Sequence, residues 1–141
     1  MKIIKKIVPI FLVSVSLLLS YSSYAANTKN ENFHFEFSNF SLAQFTNARD
    51  KEDASPIFMY VKSLTQNRSF YARVVNEDGS FTTYSPKYKI SYVNAKYCLH
   101  SNAYENKGYG VKVKIRGDRI GIGQMFAGGF WSSDSYSCPW E

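Results

Sequence analysis

Short runs in which every second residue is apolar recur along the chain, and this alternation limits its fold more than any other feature. In residues 33–37 phenylalanine alternates with histidine and glutamate, and in residues 111–116 valine and isoleucine alternate with lysine and arginine. Successive side chains of a strand point to opposite sides, so a period of two predicts strands with one buried face. No amphipathic helical run of useful length interrupts them, and the sequence therefore predicts an all-β fold.

Turn residues separate these runs at regular intervals, which favours an antiparallel β-sandwich of about seven to eight short strands. The expected strands are residues 33–37, 55–64, 70–75, 81–84, 88–93, 96–104, 109–116 and 124–131. The short connection at 65–67 predicts that the strands on either side of it form an antiparallel hairpin. Gly128 and Gly129 predict a bulge or close packing in the last strand.

Two further segments are expected to lie outside the strands. Residues 41–54 have little apolar content and predict an exposed connection, with a short helical turn at 42–45. Gly117 and Asp118 follow an alternating run and predict a turn. With Arg116 they spell an adhesive tripeptide, but the turn is the favoured interpretation.

Residues 1–25 have the three parts of a secretory signal peptide. Three lysines precede an apolar stretch at 7–19, and Ser23 to Ala25 fit the small-x-small cleavage pattern. A retained membrane anchor would need about 20 apolar residues, whereas this stretch is shorter and contains Pro9. We expect transient contact with the Sec export machinery, cleavage after Ala25 and secretion of residues 26–141 as a single domain.

Removal of the signal changes the charge of the chain. The signal carries three lysines and no acid, so 17 − 3 = 14 cations face 11 anions, and the mature net charge is about +3. This modest charge does not indicate a nucleic-acid partner, but it permits weak, salt-screened attraction to an anionic cell surface. The mature sequence has no second long apolar run, so we expect no membrane span after signal removal.

Cys98 and Cys138 are the only cysteines in the chain. Outside the cytosol a disulfide can persist, so an intramolecular bridge between them is the favoured expectation. Two free thiols or an intermolecular bridge are the alternatives. The chain contains no C-x-x-C motif, which argues against a redox role.

No catalytic constellation is evident in the sequence, and the chain is expected not to be an enzyme. His34 and His100 are the only histidines, and both are expected as surface or half-buried strand residues. A nucleophile would need His100 near Glu105 or Asp134, and sugar hydrolysis would need these two acids as a pair. Acids in turns more often cap backbone N–H groups, which is the favoured role here.

The acidic runs 50–53 and 77–78 supply oxygen ligands of the kind that calcium binds. Neither run has the spacing of an EF-hand loop, so solvated acidic loops are the favoured interpretation. Two cysteines and two histidines are too few for most zinc sites. We therefore expect no metal and no cofactor.

Aromatic residues make up 17% of the chain, which exceeds what a small core needs. Exposed aromatic rows stack on sugars, sit at membrane interfaces or form protein contacts, and the alternative is that tyrosines only cover the faces of the sheets. The weak binding candidates are Tyr104, Glu105, Tyr109, Trp131 and Asp134. The partner is expected to be an unidentified extracellular or cell-envelope component.

Four motifs follow one another after the signal, namely SPIFMYVKSL, RSFYARVV, SNAYENKGYG and GGFWSSDS. In this order they resemble a family of small secreted proteins of Gram-positive bacteria whose function is unknown, over residues 33–135. The most specific elements are residues 103–110 and 131–135, and Ser133 stands where members of that family commonly have proline. The resemblance implies an exported, β-rich protein and no known activity.

A more distant similarity is to the lactococcin-type secreted bacteriocins. It consists of the signal peptide, strands rich in glycine and aromatic residues, and a tryptophan near the C-terminus, and no diagnostic motif matches residue by residue. The first functional hypothesis is therefore a non-enzymatic binding module outside the cell or at its envelope. A bacteriocin-like antagonist of neighbouring cells is the second, and an extracellular hydrolase is the third.

Overall fold

Residues 26–138 are described by a computed structural model of the chain. The elements in chain order are β1 (Glu31–Phe37), β2 (Ala43–Phe45), β3 (Arg49–Lys51), β4 (Ile57–Leu64), β5 (Phe70–Asn76), β6 (Tyr88–Ile90), β7 (Ala95–Leu99), α1 (Ala103–Lys107), β8 (Val111–Arg119) and β9 (Met125–Ser132). The expected signal peptide, residues 1–25, lies outside the described residues.

The strands form two antiparallel sheets, which confirms the expected all-β sandwich. Sheet A has four strands in the order β1–β9–β4–β7. Sheet B has five strands in the order β2–β8–β5–β6, and β3 pairs with β8 next to β2. Three of the strands, β2, β3 and β6, have only three residues each, and runs that short show little periodicity in the sequence.

The core lies between the two sheets and consists of the apolar faces of the alternating strands. Phe33, Phe35 and Phe37 of β1 point inward and are at most 6% exposed, while the polar residues between them are exposed. Phe35 meets Phe70 of sheet B edge to face, with ring centroids 5.8 Å apart. Full burial of a phenylalanine side chain contributes roughly 1.5–3 kcal/mol, so these rings hold the two layers together.

The expected hairpin of residues 55–64 and 70–75 is wrong. β4 lies in sheet A between β9 and β7, whereas β5 lies in sheet B between β8 and β6. The connection between them crosses from one sheet to the other, and Arg68 fixes it by donating to the carbonyl oxygens of Ile120 and Gly123 at 3.4 Å each. A short connection predicts an antiparallel neighbour only when both strands stay in one sheet.

The interpretation of residues 41–54 as an exposed connection is also wrong. β2 and β3 lie there and pair with β8, so the helical turn expected at 42–45 is a strand. Thr46 and Lys51 are buried, and Lys51 is only 1% exposed. The segment reads as solvated because its buried residues are polar and depend on partners far away in the sequence.

The turn expected at Gly117 and Asp118 is wrong as well, because β8 continues through both residues to Arg119. Gly117 faces the core, where a Cβ atom would lie 2.8 Å from the ring of Phe35. Arg116 and Asp118 project from the other side of the strand and pair at 2.8 Å. The glycine therefore makes room for an aromatic ring, and the tripeptide is part of a strand.

The bulge expected in the last strand is confirmed. The register between β4 and β9 shifts between Val61 and Ser63, opposite Gly129 and Gly128. A Cβ atom on Gly129 would lie 1.9 Å from the carbonyl oxygen of Tyr60. Only glycine allows the two backbones to approach this closely.

Three other expected strands are shorter in the structure, and the one expected at 88–93 is β6, which ends at Ile90. Residues 81–84 contribute a single bridge, between Val75 and Phe81. The run expected at 96–104 ends as a strand at Leu99, and the helix α1 follows it. A five-residue helix has too few turns to show a helical period in the sequence.

Cys98 of β7 and Cys138 form a disulfide within the chain, with their Cα atoms 5.7 Å apart. The expected intramolecular bridge is confirmed, and it fastens the C-terminal segment to the edge of sheet A. Among residues 26–138, no helix has the length and apolarity needed to cross a membrane.

Candidate functional site

Residues 131–135, one of the two most specific sequence elements, are buried and not displayed to solvent. Trp131 and Asp134 have no exposed surface, so neither of these two binding candidates reaches a partner directly in this conformation. The guanidinium of Arg49 lies 5.5 Å from the centroid of the Trp131 ring. The segment therefore contributes to the interior of the fold.

A buried ion pair connects this segment to β3. The Nζ atom of Lys51 lies 2.9 Å from Oδ1 of Asp134, and the two side chains are 1% and 0% exposed. The same Nζ donates to the carbonyl oxygens of Ser133, at 2.9 Å, and Ser55. All three ammonium protons thus have acceptors, as a buried lysine requires.

The carboxylate of Asp134 also accepts backbone hydrogen bonds from two other segments. The N–H groups of Asn27 and Glu52 donate to Oδ2 at 2.8 and 2.9 Å, and the N–H of Asp53 donates to Oδ1 at 3.4 Å. One acid therefore joins the N-terminal segment, the end of β3 and the end of β9. This is the capping role favoured for acids in turns, extended here to a buried long-range junction.

Hydroxyl groups complete the junction. The hydroxyl of Ser133 donates to the carbonyl oxygen of Asp50 at 2.6 Å, and the N–H of Ser135 donates to the hydroxyl of Ser55 at 2.9 Å. The side chain of Ser133 thus ties the turn after β9 to β3. Residues 131–135 are best explained as a structural lock between the two sheets.

The second specific element, residues 103–110, lies at the surface and meets the same junction. It begins with α1, and it ends at Tyr109, whose hydroxyl donates to Oε1 of Glu52 at 3.3 Å. Glu52 therefore links the two elements, since its backbone N–H bonds Asp134. Of the binding candidates, Glu105 and Tyr109 are exposed and Tyr104 is half-buried, so only these three are accessible.

His100 and Glu105 do come together, in a small surface pocket of about 200 Å³ that Ser101 also lines. The hydroxyl of Ser101 is buried and has no hydrogen-bond partner among the described residues. Asp134 does not line this pocket. His34 lies elsewhere, on the outer side of β1, where its Nε2 is 3.0 Å from Glu36.

Residues 26–138 contain no group of three or more histidine, cysteine or acidic side chains placed to hold a metal ion. The acidic runs at 50–53 and 77–78 are used within the fold. Asp53 accepts hydrogen bonds from the backbone and hydroxyl of Ser55, and Asp78 accepts the same two from Ser80. These carboxylates stabilise turns.

The outer side of sheet B carries a row of cations. β8 places Lys112, Lys114 and Arg116 there, because the residues between them face the core. Arg73 of β5 is the cross-strand partner of Arg116, so two like charges stand directly opposite each other. Such a pair is normally destabilising in a sheet.

Exposed aromatic rings are interleaved with these cations. We use the name cation–aromatic face for Phe45, Tyr71, Arg73, Phe81, Lys87, Lys89, Lys112, Lys114 and Arg116. The guanidinium groups of Arg73 and Arg116 lie 3.9 and 5.4 Å from the centroid of the Phe81 ring. Lys114 lies 4.7 Å from the Phe45 ring, and Lys87 lies 5.8 Å from the Tyr71 ring. Contact with a ring attracts a cation without neutralising it.

Acidic residues neutralise only part of the cation–aromatic face. Asp118 pairs with Arg116 at 2.8 Å and Glu77 lies 3.7 Å from Lys112, at an exposed site. The remaining cations make no ion pair with any acid in the described part of the chain, and they are Arg73, Lys87, Lys89 and Lys114.

The cation–aromatic face accounts for the charge of the mature chain. Asp50 is the cross-strand partner of Lys112. The six cations of the face and the adjacent acids Asp50, Glu77 and Asp118 sum to 6 − 3 = +3. The rest of residues 26–141 has 14 − 6 = 8 cations and 11 − 3 = 8 anions, which balance. The net charge is thus concentrated on one surface, although its total is small.

The outer side of sheet A has a different character. Tyr60 and Phe130 stack on each other, with centroids 5.0 Å apart and planes inclined by 16°. Lys62 lies 5.4 Å from the Phe130 ring, and Lys96 donates to the carbonyl oxygen of Ser137. These rings contact one another, so their faces are less open to a ligand than isolated rings would be.

Sequence reasoning missed the cation–aromatic face as a site. The alternation of basic residues at 112, 114 and 116 was a usable signal, since it predicts three cations on one side of a strand. Phe45 and Phe81 gave no such signal, because only the strand pairing brings Phe45 beside β8 and Phe81 beside β5.

A family model described as a protein of unknown function (DUF2712) matches residues 21–135. Neither the curated proteins nor the solved structures contain a significant match to the chain.

Proposed function

Because the chain belongs to the DUF2712 family of proteins of unknown function, we propose a function for it from the chemistry of its surface. The mature protein is a secreted, non-enzymatic binding module that works outside the cell or at its envelope. It contacts an anionic partner through the cation–aromatic face.

One observation carries this proposal. Four exposed or half-buried cations on a single sheet surface, Arg73, Lys87, Lys89 and Lys114, have no acidic partner among the residues described. Clustered charges of one sign raise the local concentration of oppositely charged ligands and their rate of association. The cations are spread over strands of one sheet, which suits an extended partner.

Secretion is supported by two features. The sequence of residues 1–25 has the organisation of a signal peptide. The bridge between Cys98 and Cys138 is of a type that persists outside the cytosol.

The non-enzymatic role is supported by the use of the polar residues in the two specific elements. The carboxylate of Asp134 is occupied by its ion pair with Lys51 and by hydrogen bonds from backbone N–H groups. The hydroxyl of Tyr109 donates a hydrogen bond to Glu52. Replacing His100 and Glu105 together tests the hydrolase hypothesis, because these two residues share a pocket that the buried Asp134 does not line. The double variant is first shown to fold. Loss of a measured hydrolytic activity in this variant would count against a purely binding role.

Binding to inorganic polyphosphate, a simple polyanion, tests the proposed function. Isothermal titration calorimetry of the mature chain is carried out at several salt concentrations. The variant Lys87→Glu/Lys114→Glu changes two cations of the cation–aromatic face. The matched control Lys62→Glu/Lys96→Glu makes the same change of charge on the outer side of sheet A.

We expect polyphosphate to bind the wild type and the control, and to bind the Lys87→Glu/Lys114→Glu variant much more weakly. For two lost contacts the slope of log K against log salt should become shallower by roughly 1.4, at about 0.7 per contact with a single-stranded polyanion. Equal losses in both variants, or no binding by the wild type, would overturn the proposed function.

The bacteriocin-like alternative would use the same surface, because cations interleaved with exposed rings also suit the surface of an anionic membrane. It differs in its consequence for the target cell. A zone-of-inhibition assay with the purified mature chain separates the two functions. Killing that disappears in the Lys87→Glu/Lys114→Glu variant would favour the antagonist.

A further inference from the structure

We infer that the cation–aromatic face binds a linear phosphodiester polymer with three-carbon linkers and no bases, of the poly(glycerol phosphate) type. This inference rests on the proposed function and names the chemical class of its partner. Three features of the surface support it, namely the spacing of the cations, the opposition of two arginines and the occupation of the aromatic rings.

The spacing of the cations along β8 matches the repeat of such a polymer. Lys112, Lys114 and Arg116 lie on one side of an antiparallel strand, and alternate residues are about 6.8 Å apart along it. A phosphodiester with a three-carbon linker repeats every six bonds. Two peptide units also span six bonds and extend over roughly 6.6–7.2 Å. An extended polymer can therefore follow the strand with one phosphate at each cation. Lys114 has no described acidic partner, whereas phosphates at Lys112 and Arg116 would share these cations with Glu77 and Asp118.

Arg73 and Arg116 are opposed across two strands, and only Arg116 has an acidic partner among residues 26–138, Asp118 at 2.8 Å. The two residues are cross-strand partners and both contact the ring of Phe81. The guanidinium of Arg73 donates to the carbonyl oxygen of Ser85 at 2.7 Å and pairs with no described acid. A phosphate group has enough oxygen atoms to accept from two guanidinium groups at once, which would relieve their repulsion.

Cations of the protein itself lie against the aromatic rings, which argues against a nucleic acid as the partner. Proteins that bind single strands leave aromatic rings open for the bases to stack on. Here Arg73 lies 3.9 Å from the centroid of the Phe81 ring, and Lys114 lies 4.7 Å from that of Phe45. The rings support the cations of the protein itself, so a polymer that carries phosphates without bases fits the surface better.

The test compares three polymers with equal numbers of phosphates. Poly(glycerol phosphate) has the six-bond repeat without bases, oligothymidylate has the six-bond repeat with bases, and inorganic polyphosphate has a much shorter repeat. Affinities are measured for the mature chain by competition at one fixed salt concentration. We expect poly(glycerol phosphate) to bind about tenfold more tightly than either of the others, a difference that calorimetry resolves.

A variant series locates the contact. Lys114→Glu, at the centre of the β8 row, should lower the affinity for poly(glycerol phosphate) about tenfold, and Lys114→Arg should retain it. Lys62→Glu, on the outer side of sheet A, is the matched control and should leave the affinity unchanged. Circular dichroism establishes that each variant is folded before its affinity is interpreted.

Every outcome decides the inference. If polyphosphate binds as tightly as poly(glycerol phosphate), or more tightly, the spacing is irrelevant; the inference fails while the proposed function stands. Preference for oligothymidylate would replace this partner by a single-stranded nucleic acid. If none of the three polymers binds, the inference and the proposed function fail together.

Discussion

Lys51 and Lys114 belong to the same sheet, but one is buried and ion-paired while the other faces outward without a described acidic partner. Lys51 of β3 is 1% exposed, and its Nζ has a carboxylate and two carbonyl oxygens as acceptors. Lys114 of β8 faces outward, lies 4.7 Å from the ring of Phe45 and pairs with no described acid. One lysine has all its hydrogen-bond acceptors within the protein, and the other is the cation that we propose contacts a ligand.

The difference between these two lysines distinguishes residues that stabilise the fold from residues that are available for binding. A buried charge must have all its partners inside the protein, so replacing any of these partners destabilises the fold. An exposed charge without a partner costs the fold little and contributes most when something binds it. Substitutions at the lock of residues 131–135 should therefore change stability, and substitutions on the cation–aromatic face should change binding.

The largest effect is expected from Asp134→Ala. The substitution leaves the ammonium of Lys51 buried without its counter-ion and removes an acceptor from three backbone N–H groups. Breaking a buried pair by removing one partner costs about 3–5 kcal/mol of unfolding free energy. Urea unfolding followed by tryptophan fluorescence measures the loss.

Asp118→Ala is the matched control for this prediction. Asp118 also pairs with a cation, Arg116, but its side chain is 26% exposed. Partly exposed pairs contribute about 0–1 kcal/mol, so this variant should unfold close to the wild type. Equal losses in the two variants would contradict the distinction between the buried pair and the surface pairs.

Removal of the disulfide by Cys98→Ser/Cys138→Ser should have the next largest effect. The bridge closes a loop with a sequence separation of 40 residues. In the chain-entropy model such a loop contributes about 3–4 kcal/mol, mainly by restricting the unfolded chain. The acceptors of Lys51 lie on Ser55, Ser133 and Asp134 and not on the bridged cysteines, so we expect the variant to retain the far-ultraviolet circular dichroism of the wild type.

Binding gives the second measurement for the disulfide variant. The bridge lies at the edge of sheet A, away from the strands that form the cation–aromatic face. Polyphosphate affinity should therefore stay within about twofold of the wild-type value under conditions where the variant is folded. A large loss of affinity would mean that the C-terminal segment contributes to the binding surface.

The sequence alone predicted the structural features that depend on residues close together in the chain. Phe33, Phe35 and Phe37 predicted a strand with one buried side, and the glycine pair at 128 and 129 predicted the bulge. Each of these signals is local, because the period of a strand and the absence of a Cβ atom act within a few residues.

The remaining features depend on contacts between distant segments. Lys51 appeared as part of a solvated loop because its partner, Asp134, lies 83 residues further along the chain. The sheet assignment of β4 and β5 failed because a turn of a given length serves a hairpin and a sandwich corner equally well. The cation–aromatic face needed the strand order that places Phe45 and Phe81 beside Arg116.

A smaller effect is expected from Phe81→Ala. The ring is 50% exposed, and the guanidinium groups of Arg73 and Arg116 lie 3.9 and 5.4 Å from its centroid. Contacts between a cation and an exposed ring contribute about 0.5–1 kcal/mol, and the loss of the ring also leaves two like charges opposed. We expect a stability loss of about 1 kcal/mol in urea unfolding.

Tyr136→Ala is the control for Phe81→Ala, because Tyr136 is 77% exposed and makes none of these cation contacts. Its unfolding free energy should not change measurably. Added phosphate should recover part of the stability that Phe81→Ala loses, since an anion screens the two arginines. If phosphate stabilises Tyr136→Ala by the same amount, the repulsion between the arginines is not the cause.

The smallest effect concerns Asp78, an exposed acid in the turn after β5. The hydroxyl of Ser80 and then the backbone N–H of Ser80 donate to its carboxylate and lower the pKa of Asp78 below its ordinary value. A lowered pKa in the folded state contributes stability above the ordinary pKa, and that stability is lost as the pH falls below about 4.

Ser80→Ala removes the first of the two donors, so it should raise the pKa of Asp78 toward the ordinary value in a carbon-13 NMR titration. The pKa should stay below the ordinary value, because the backbone donor remains. An unchanged pKa of Asp78 in Ser80→Ala would mean that the backbone of the turn, and not the hydroxyl of Ser80, lowers this pKa.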